Sequence, residues 1–446
     1  MRRPAPARPI PTLAVVGALF VGPAPLGAQE PVAREASVRE VAVHAGRLID
    51  GTGAAPVSDV VILIRGDRIA AVGPAADVDV PAGAEVVDLS GYTVLPGFID
   101  AHVHMTGITT GEPNWDDQFV RETAADAALR GAGNARRTLE AGFTTVRNVG
   151  AQGFADVALR DAINRGDILG PRMQVAAHSL GITGGHCDTN GFVPWLEVAF
   201  GIETGQADGP AEVRSSIRHQ VKYGADVIKI CATGGVLSEG DSVGVQQYTA
   251  EELVAVVETA EMLERRVAAH AHGNDGIKAA ARAGVASIEH GSILDDEAVA
   301  LLVEHGTWLV PTLAAAEAVE TMAGDGRLTG ERAAKALAIV PRMRESVRLA
   351  VRGGVNVALG TDAGVFAHGT NGREFTLLVE WAGMTPMQAI VAGTSSAAEA
   401  LGWSHDVGTV RPDRYADLVA IEGDPLEDIA ELGAVDWVMK GGEVVR

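Results

Sequence analysis

Residues Gly97–His104, with the sequence GFIDAHVH, place two histidines at the end of a short apolar run that predicts a β-strand. Because side chains alternate along a strand, His102 and His104 are expected to point to the same side. Seven more strand candidates follow along the chain: Thr144–Asn148, Gln174–His178, Val227–Ala232, Val267–His272, Ser287–His290, Trp308–Pro311 and Val355–Thr361. Helical stretches separate them, among them Asp126–Ala141, Glu251–Glu264, Asp275–Ala283, Asp295–Glu304 and Arg332–Arg352. Eight strands alternating with helices predict an α/β fold, a (β/α)8 TIM-like barrel over residues 96–406. A doubly wound open sheet is the alternative.

Both ends of the chain differ from this middle part. Residues 38–95 and 407–446 contain short apolar runs separated by Gly and Pro turn signals, a pattern typical of antiparallel strands. Chain ends often lie near each other in space, so we expect the two segments to form one small β-sandwich beside the barrel.

Polar residues recur where the barrel strands are expected to end. After the His102 and His104 pair they are Lys229 in VIKIC, His270 and His272 in AAHAHG, His290 in SIEHGS and Asp362 in GTDAG. The C-terminal ends of barrel strands meet in one ring, where active sites of this fold lie. A catalytic zinc usually takes three protein ligands, so this set is large enough for two metals about 3.5–4 Å apart.

Lys229 is unusual in this set because an ammonium group cannot bind a cation. A neutral Lys229 amine can add carbon dioxide, and the resulting carbamate has two oxygens that suit a bridge between two metals. The alternative is an internal salt bridge from Lys229 to Asp362 or Glu239.

Composition excludes some classes of protein and partner. The 446 residues are 47% hydrophobic and 21% charged, which is typical of a folded chain, and the formal net charge is −22. Such acidity disfavours nucleic-acid binding, because it repels phosphates. The two cysteines, Cys187 and Cys231, allow one disulfide or a two-cysteine zinc site. For Cys231 we expect the role of a small buried residue.

Residues 1–28 have the pattern of a secretory signal peptide. Arg2, Arg3 and Arg8 precede the apolar run Leu13–Val21, and small residues up to Ala28 offer a cleavage point. A disordered Ala/Pro-rich tail is the alternative. The run is too short to span a bilayer, and no longer apolar segment follows, so no stable membrane anchor is expected. This pattern predicts export to the periplasm or the medium.

Several strings together resemble the amidohydrolase superfamily, and the resemblance covers about residues 38–446. The strings are PGFIDAHVHM from Pro96, VIKICATGG from Val227, AAHAHG from Ala268, SIEHGS from Ser287, GTDAG from Gly360 and ADLVAIEGDPL from Ala416. In their individual residues, these strings are similar to those of binuclear-zinc prolidase-like dipeptidases and of the related amidases that hydrolyse ochratoxin A. The resemblance implies two divalent ions, most simply Zn²⁺. It also implies a homo-oligomer, because relatives in this family are often octamers.

Carried over by position, the resemblance implies a role for each polar residue. His102, His104 and Asp362 would hold one metal, His270 and His290 the other, and the Lys229 carbamate would bridge both. His272 would face the substrate and stabilise the oxyanion. His186, in the Gly184-Gly185-His186 loop, would bind substrate, with His178 as its rival for that contact. His178 is equally well explained as a hydrogen-bonded core residue.

The resulting expectation is a metal-dependent hydrolase of amide bonds in small molecules. It would release an amino acid from dipeptides or N-acyl amino acids, ochratoxin A included. A metal-bridging hydroxide would attack the carbonyl, and Asp362 would carry its proton to the leaving nitrogen. The alternatives are a cyclic amide or imidazolone-type hydrolase of the same superfamily, and a binding protein that keeps the fold without catalysis.

Overall fold

The computed structural model describes residues 39–193 and 201–446. The predicted signal peptide, residues 1–28, lies outside the described residues. Fourteen strands are described: β1 Glu40–Leu48, β2 Val57–Arg65, β3 Arg68–Pro74, β4 Glu85–Pro96, β5 Phe98–Val103, β6 Phe143–Asn148, β7 Arg172–Val175, β8 Val227–Cys231, β9 Arg266–Ala271, β10 Ser287–His290, β11 Trp308–Val310, β12 Leu418–Ile421, β13 Trp437–Lys440 and β14 Glu443–Val444.

The described helices fall mainly between the strands of the middle region. They are α1 Gln118–Arg121, α2 Ala124–Glu140, α3 Ala155–Asn164, α4 Gly209–Lys222, α5 Ala250–Met262, α6 Asn274–Ala283, α7 Asp296–His305, α8 Leu313–Asp325, α9 Gly330–Arg352, α10 Arg373–Glu380, α11 Pro386–Ala392 and α12 Ser395–Leu401. Thr123 and Thr249 begin α2 and α5 with reciprocal capping hydrogen bonds, as the sequence pattern of Thr followed by an acid three residues later favours. Within the described residues, none of the helices combines the length and apolarity that crossing a membrane requires.

The two chain ends meet in one seven-stranded sheet, in the order β14-β13-β12-β4-β1-β2-β3. Strand β1 pairs parallel with β4 and antiparallel with β2. Alternate residues of β1 and β2 bury two opposite faces: Val43 and Ile62 lie in the larger cluster, whereas Ala42 and Leu63 lie in a smaller one. This alternation explains why the sequence of these segments predicts strands.

The middle of the chain forms two parallel sheets that hydrogen bonds close into a barrel. Strands β5, β6 and β7 make one sheet and β8 to β11 the other. The Asp226 amide donates to Val175 O at 2.7 Å across the β7–β8 junction. Extended residues 356–359 fill the eighth position, because Ala358 N donates to Leu309 O at 3.0 Å and Ala101 N to Leu359 O at 2.9 Å. The predicted α/β fold, a TIM-like barrel with a small β domain built from both chain ends, is confirmed. The strands of that domain belong to one seven-stranded sheet rather than to the two separate sheets that the predicted β-sandwich implies.

Gly97 is the point where the chain passes from the sheet into the barrel. A Cβ atom there would lie 2.2 Å from Thr144 Oγ1, so only glycine allows this close approach of β4, β5 and β6. Directly after it, Phe98 packs edge-on against Phe143 and Phe375, at ring centroid distances of 5.5 and 4.9 Å. This aromatic cluster packs the starts of β5 and β6 against α10, and the histidines lie at the opposite end of β5.

Candidate active site

Two groups of potential metal ligands lie at the C-terminal ends of the barrel strands. One contains His102, His104 and Asp362, and within it the nearest ligand atoms all lie within 4.8 Å of one another. The other contains His270, His272 and His290, with the same spacing. The buried Lys229, from β8, lines the same cavity as both groups. The structure therefore brings together all the residues that sequence analysis assigned to metal binding.

The first group is arranged around the Asp362 carboxylate. Asp362 Oδ1 lies 3.6 Å from His102 Nε2 and 3.4 Å from His104 Nε2. Asp362 has a left-handed φ of +59°, a rare conformation for a non-glycine residue and one often found at functional sites. His102 is fully buried, whereas the His104 side chain is about one-third exposed to the cavity.

Buried polar atoms without partners show that these residues fit a cation. His102 Nε2, His270 Nε2 and Asp362 Oδ1 are buried and accept or donate no hydrogen bond among the described residues. Leaving such atoms unpaired inside a protein is unfavourable. Imidazole nitrogens and a carboxylate oxygen are ligands that Zn²⁺ and similar divalent ions take, so bound ions would satisfy all three.

A chain of buried hydrogen bonds between charged side chains holds the His102 ring on the side away from Asp362. His102 Nδ1 lies 2.7 Å from Glu289 Oε2, and Glu289 Oε1 accepts from Arg147 Nη2 at 2.7 Å and from Ser287 Oγ at 2.5 Å. Arg147 also donates to Ala101 O at 2.6 Å, so it is tied to β5 as well as β10. An ionised Glu289 only accepts, so Nδ1 of His102 carries the proton and Nε2 offers its lone pair to the Asp362 side.

Hydroxyl groups support the second group instead. Ser292 Oγ lies 2.6 Å from His272 Nδ1, and Thr312 Oγ1 lies 2.7 Å from His290 Nδ1. The His270 and His290 ring centroids are 4.6 Å apart, and those of His272 and His290 are 4.9 Å apart. The grouping puts His272 beside the two predicted ligands of the second metal, while its separate role toward substrate stays a prediction.

Burial sets the protonation of the site. Desolvation lowers the pKa of His102, His270 and His290 well below the usual value, and lowers the pKa of His104 and His272 to about 3. These imidazoles are therefore neutral near pH 7, the form that binds metals. Burial also raises the pKa of Asp362 to about 7, against the opposing effect of the nearby Lys229 ammonium.

Lys229 is the buried amine on which the carbamate prediction depends. Burial lowers the pKa of its amine to about 8, although Glu289 and Asp362 act in the opposite direction. Among the described residues, no carboxylate lies within ion-pair distance of Lys229, and Glu239 pairs with Arg332 instead, at 3.4 Å. The salt-bridge alternative is therefore not realised in the structure.

The two candidate substrate histidines differ in how their ring nitrogens are used. Both nitrogens of His178 are occupied: Gly153 N donates to Nε2 at 3.0 Å, and Nδ1 pairs with Gln220 Oε1 at 3.1 Å. His186 has only Nδ1 engaged, with Ser238 Oγ at 2.8 Å, and its ring stacks on His270 with a centroid distance of 4.1 Å. This hydrogen bonding favours a structural role for His178 and leaves His186 available to a substrate.

Cys187 and Cys231 form a disulfide with a Cα–Cα distance of 5.8 Å. Of the alternatives that the sequence left open, the structure therefore shows the disulfide, and Cys231 is buried as expected. The loop after β7 runs beside the end of β8, where Leu180 N donates to Lys229 O at 2.8 Å and Cys231 N to Leu180 O at 2.9 Å. The disulfide thus joins the residue after His186 to the strand that carries Lys229.

A cavity of about 800 Å³ opens over the two groups. Its apolar wall comes mainly from α8, α9 and the loop after β8: Val236, Leu237, Ala315, Ala316, Val319, Ile339, Val340 and Met343. Trp115 and Phe119, in the segment after β5, line it too. The volume suits a small molecule with an apolar group rather than a folded protein.

Sequence analysis missed the residues behind the ligands. Arg147 is a charged residue inside the predicted strand Thr144–Asn148, as Lys229 is inside the predicted strand Val227–Ala232, and it could have been found in that way. Glu289 precedes His290 directly and would be expected on the other side of its strand. The left-handed φ of +71° at His290 breaks the alternation, so both residues serve the site.

Comparisons with known proteins agree with this geometry. The model of the amidohydrolase family matches residues 93–445. The ochratoxinase of Aspergillus niger is 35% identical over 425 residues, 91% of this chain and 86% of that protein. A solved Xaa-Pro dipeptidase with methionine bound in its active site is 39% identical, with a TM-score of 0.86, over 91% of this chain and 99% of that one. An imidazolonepropionase of Deinococcus radiodurans is 28% identical over 384 residues, 84% of this chain and 88% of that protein. The chain belongs to the amidohydrolase family.

Proposed function

We propose that the protein is a binuclear metal-dependent amidase that releases an amino acid from dipeptides or N-acyl amino acids. The observation that carries this proposal is the convergence of two ligand groups on one cavity, with the buried Lys229 between strands of both. Relatives named for the hydrolysis of Xaa-Pro dipeptides and of ochratoxin support an amide as the bond that is cleaved.

The residues fit two divalent ions, most simply Zn²⁺. His102, His104 and Asp362 would hold one, His270 and His290 the other, and Lys229 as a carbamate would contact both. When bound, such ions lower the pKa of a water molecule and polarise a carbonyl group. The lowered pKa of Lys229 leaves a fraction of neutral amine near pH 8, the form that reacts with carbon dioxide.

Asp362 handles the proton in this proposal. Its carboxylate accepts a proton from the attacking water and delivers it to the leaving nitrogen, which departs as an amine. Asp362 suits this task because its carboxylate lines the cavity in which a substrate would bind.

His272 orients and stabilises the carbonyl oxygen. Ser292 can donate to His272 Nδ1 over their 2.6 Å contact, which leaves the proton on Nε2. A neutral imidazole with that tautomer donates to the oxygen on which negative charge develops. Its pKa, lowered by burial, keeps it neutral.

A substrate panel with metal counted in parallel tests the proposal. Metal-replete protein is assayed on dipeptides, N-acyl amino acids, ochratoxin A and imidazolone-type cyclic amides, and bound metal is measured by mass spectrometry. We expect two metal equivalents and hydrolysis of linear amides. Turnover of cyclic amides alone would favour the imidazolone-type hydrolase. The imidazolonepropionase relative from Deinococcus radiodurans supports that alternative. Neither metal nor turnover would favour a non-catalytic binding protein.

We also propose that the chain is exported. The signal-like pattern of residues 1–28 and the disulfide between Cys187 and Cys231 support this, because disulfides persist in oxidising compartments. N-terminal sequencing of the protein from its native host should find a mature start near Gln29. An intact Met1 in the mature protein would contradict it. Assembly into a homo-oligomer remains a prediction, which light scattering of the purified protein would check.

A further inference from the structure

His186 is held by a hydrogen-bond chain that the metal ligands do not share. Its Nδ1 lies 2.8 Å from Ser238 Oγ, and Ser238 Oγ donates to Asp241 Oδ1 at 2.6 Å. Lys335 of α9 donates to the same Asp241 oxygen at 3.1 Å and to the Ser238 carbonyl at 3.0 Å. Asp241 Oδ2 accepts from Gly235 N at 3.1 Å, so the loop after β8 folds around the carboxylate.

The direction of these hydrogen bonds follows from the chemistry of the groups. An ionised carboxylate only accepts, and a hydroxyl has a single proton. Burial would raise the pKa of Asp241, but the hydrogen bonds from Ser238 and Lys335 outweigh it and keep the pKa below the usual value. Ser238 therefore gives its proton to Asp241 and must accept one from His186 Nδ1, which leaves Nε2 of a neutral His186 with a lone pair.

Packing and further hydrogen bonds also fix the position of the His186 ring. A Cβ atom at Gly235 would lie 2.2 Å from His186 Cε1, so glycine at this position makes room for the imidazole. His186 N donates to Gln247 Oε1 at 3.0 Å, and the next residue is in the disulfide with Cys231. Nε2 has no hydrogen-bond partner in the part of the chain that the structure describes, and the ring borders the cavity beside His270.

The cavity around His186 has the charge pattern of a site for a cation. Asp188 and Glu203 line it, and among the described lining residues Lys229 is the one lysine and no arginine occurs. An acceptor nitrogen in a cavity that carboxylates line suits an ammonium donor and gives no partner to a methyl group. In a dipeptide one carbon separates the α-ammonium from the scissile carbonyl. Because the His186 ring stacks on His270 at 4.1 Å, an ammonium bound by His186 would leave the carbonyl near the ligand groups.

We propose that Ser238 and Asp241 are positioning residues that fix His186 with an acceptor Nε2, and that His186 thereby selects dipeptides with a free α-ammonium over N-acyl amino acids. This inference rests on the amidase function proposed above. It distinguishes dipeptides from N-acyl amino acids, two substrate classes between which the fold and the metal ligands do not discriminate.

A matched pair of substrates tests the selection. Glycyl-leucine and N-propionyl-leucine differ by an ammonium in place of a methyl group. We expect wild-type kcat/KM to be at least about tenfold higher for glycyl-leucine, which corresponds to one net hydrogen bond of about 1.4 kcal/mol. Ser238→Ala should remove this preference mainly through KM for glycyl-leucine and should leave N-propionyl-leucine almost unchanged. Ser238→Thr, which keeps a hydroxyl, should restore the preference.

A second pair of variants separates positioning from simple loop stability. Asp241→Asn should lower the preference, because an amide can donate to Ser238 and reverse the chain. Glu239→Gln makes the same change two residues away, on a half-exposed side chain that pairs with Arg332 at 3.4 Å, and it should have no effect. Equal losses in both variants, or equal losses for both substrates in Ser238→Ala, would overturn the proposal.

Nuclear magnetic resonance of the wild-type, zinc-loaded protein gives a readout independent of turnover. In protein labelled with ¹⁵N-histidine, the His186 signals, identified by their loss in His186→Gln, should show the proton on Nδ1. A proton on Nε2 would overturn the proposal. If no amide in the substrate panel is hydrolysed, the proposed function fails while this measurement still decides the tautomer, so the two failures are distinguishable.

Discussion

The two ligand groups at the barrel mouth are supported in different ways. His102 is hydrogen-bonded to the carboxylate of Glu289, which is itself paired with the buried Arg147. His272 and His290 are hydrogen-bonded instead to the neutral hydroxyls of Ser292 and Thr312, respectively. A carboxylate fixes the tautomer and makes the imidazole a stronger ligand, whereas a hydroxyl can donate or accept. If the site binds two metals as proposed, we therefore expect the first group to hold its metal more tightly and the second group to be able to adapt to substrate.

Lys229→Ala should have the largest effect, because Lys229 is expected to contribute to both groups at once. We expect loss of both metal equivalents and of turnover, with partial recovery of both on addition of short-chain carboxylates that occupy the vacated space. Metal analysis and amide hydrolysis with and without propionate measure this. Lys222→Ala, on the outside of α4, serves as the control. Two bound metals and full rate in Lys229→Ala would refute the bridging role.

Asp362→Asn should lower turnover by about 10²–10⁴-fold, the range for removal of a general acid–base group. An amide oxygen can still bind a metal weakly, so much of the metal should remain. The measurement is kcat on the best substrate of the panel, together with metal content. Unchanged turnover in a metal-replete variant would show that another group moves the proton.

A comparison of Glu289→Gln with Thr312→Val tests the contrast between the two groups directly. Glu289→Gln should weaken binding of the first metal by about 10–100-fold, as loss of an outer carboxylate does elsewhere. Thr312→Val removes a neutral partner and should cost less. Titration with a competing chelator gives the two affinities, and thermal unfolding checks that Arg147, left without its ion pair, has not unfolded the barrel. An equal or larger loss in Thr312→Val would contradict the contrast.

Removal of the disulfide should have the smallest effect on metal binding. The bond closes a sequence separation of 44 residues, and its loss in a Cys187→Ala/Cys231→Ala variant should lower the free energy of unfolding by roughly 2–4 kcal/mol. Both metal equivalents should remain, because neither cysteine is a ligand. Chemical denaturation and metal analysis measure the two quantities, and loss of metal without loss of stability would assign the sulfurs to the metal site.

The sequence predicted the barrel and the ligand groups because each ligand follows an apolar run and interrupts it. His102, His270 and Asp362 stand out for that reason, and closure of the barrel brings them together. Apart from Arg147, the supporting residues carry no such signal. Ser238 and Asp241 lie in an irregular loop without a period, and Glu289 lies on the side of its strand that alternation would turn away. The pairing of Cys187 with Cys231 depends on how one loop folds over a neighbouring strand, which no local pattern encodes.

The covalent link between the His186 loop and β8 also has a practical consequence for anyone who produces this protein. Thiol reductants would cut the link, and their own thiolates would compete for any metal ion that the site binds. A bacterial host that makes the chain in its reducing cytosol would deliver the same unlinked form. Preparations from an oxidising host in thiol-free buffer, with free sulfhydryls titrated before any assay, would therefore represent the linked enzyme.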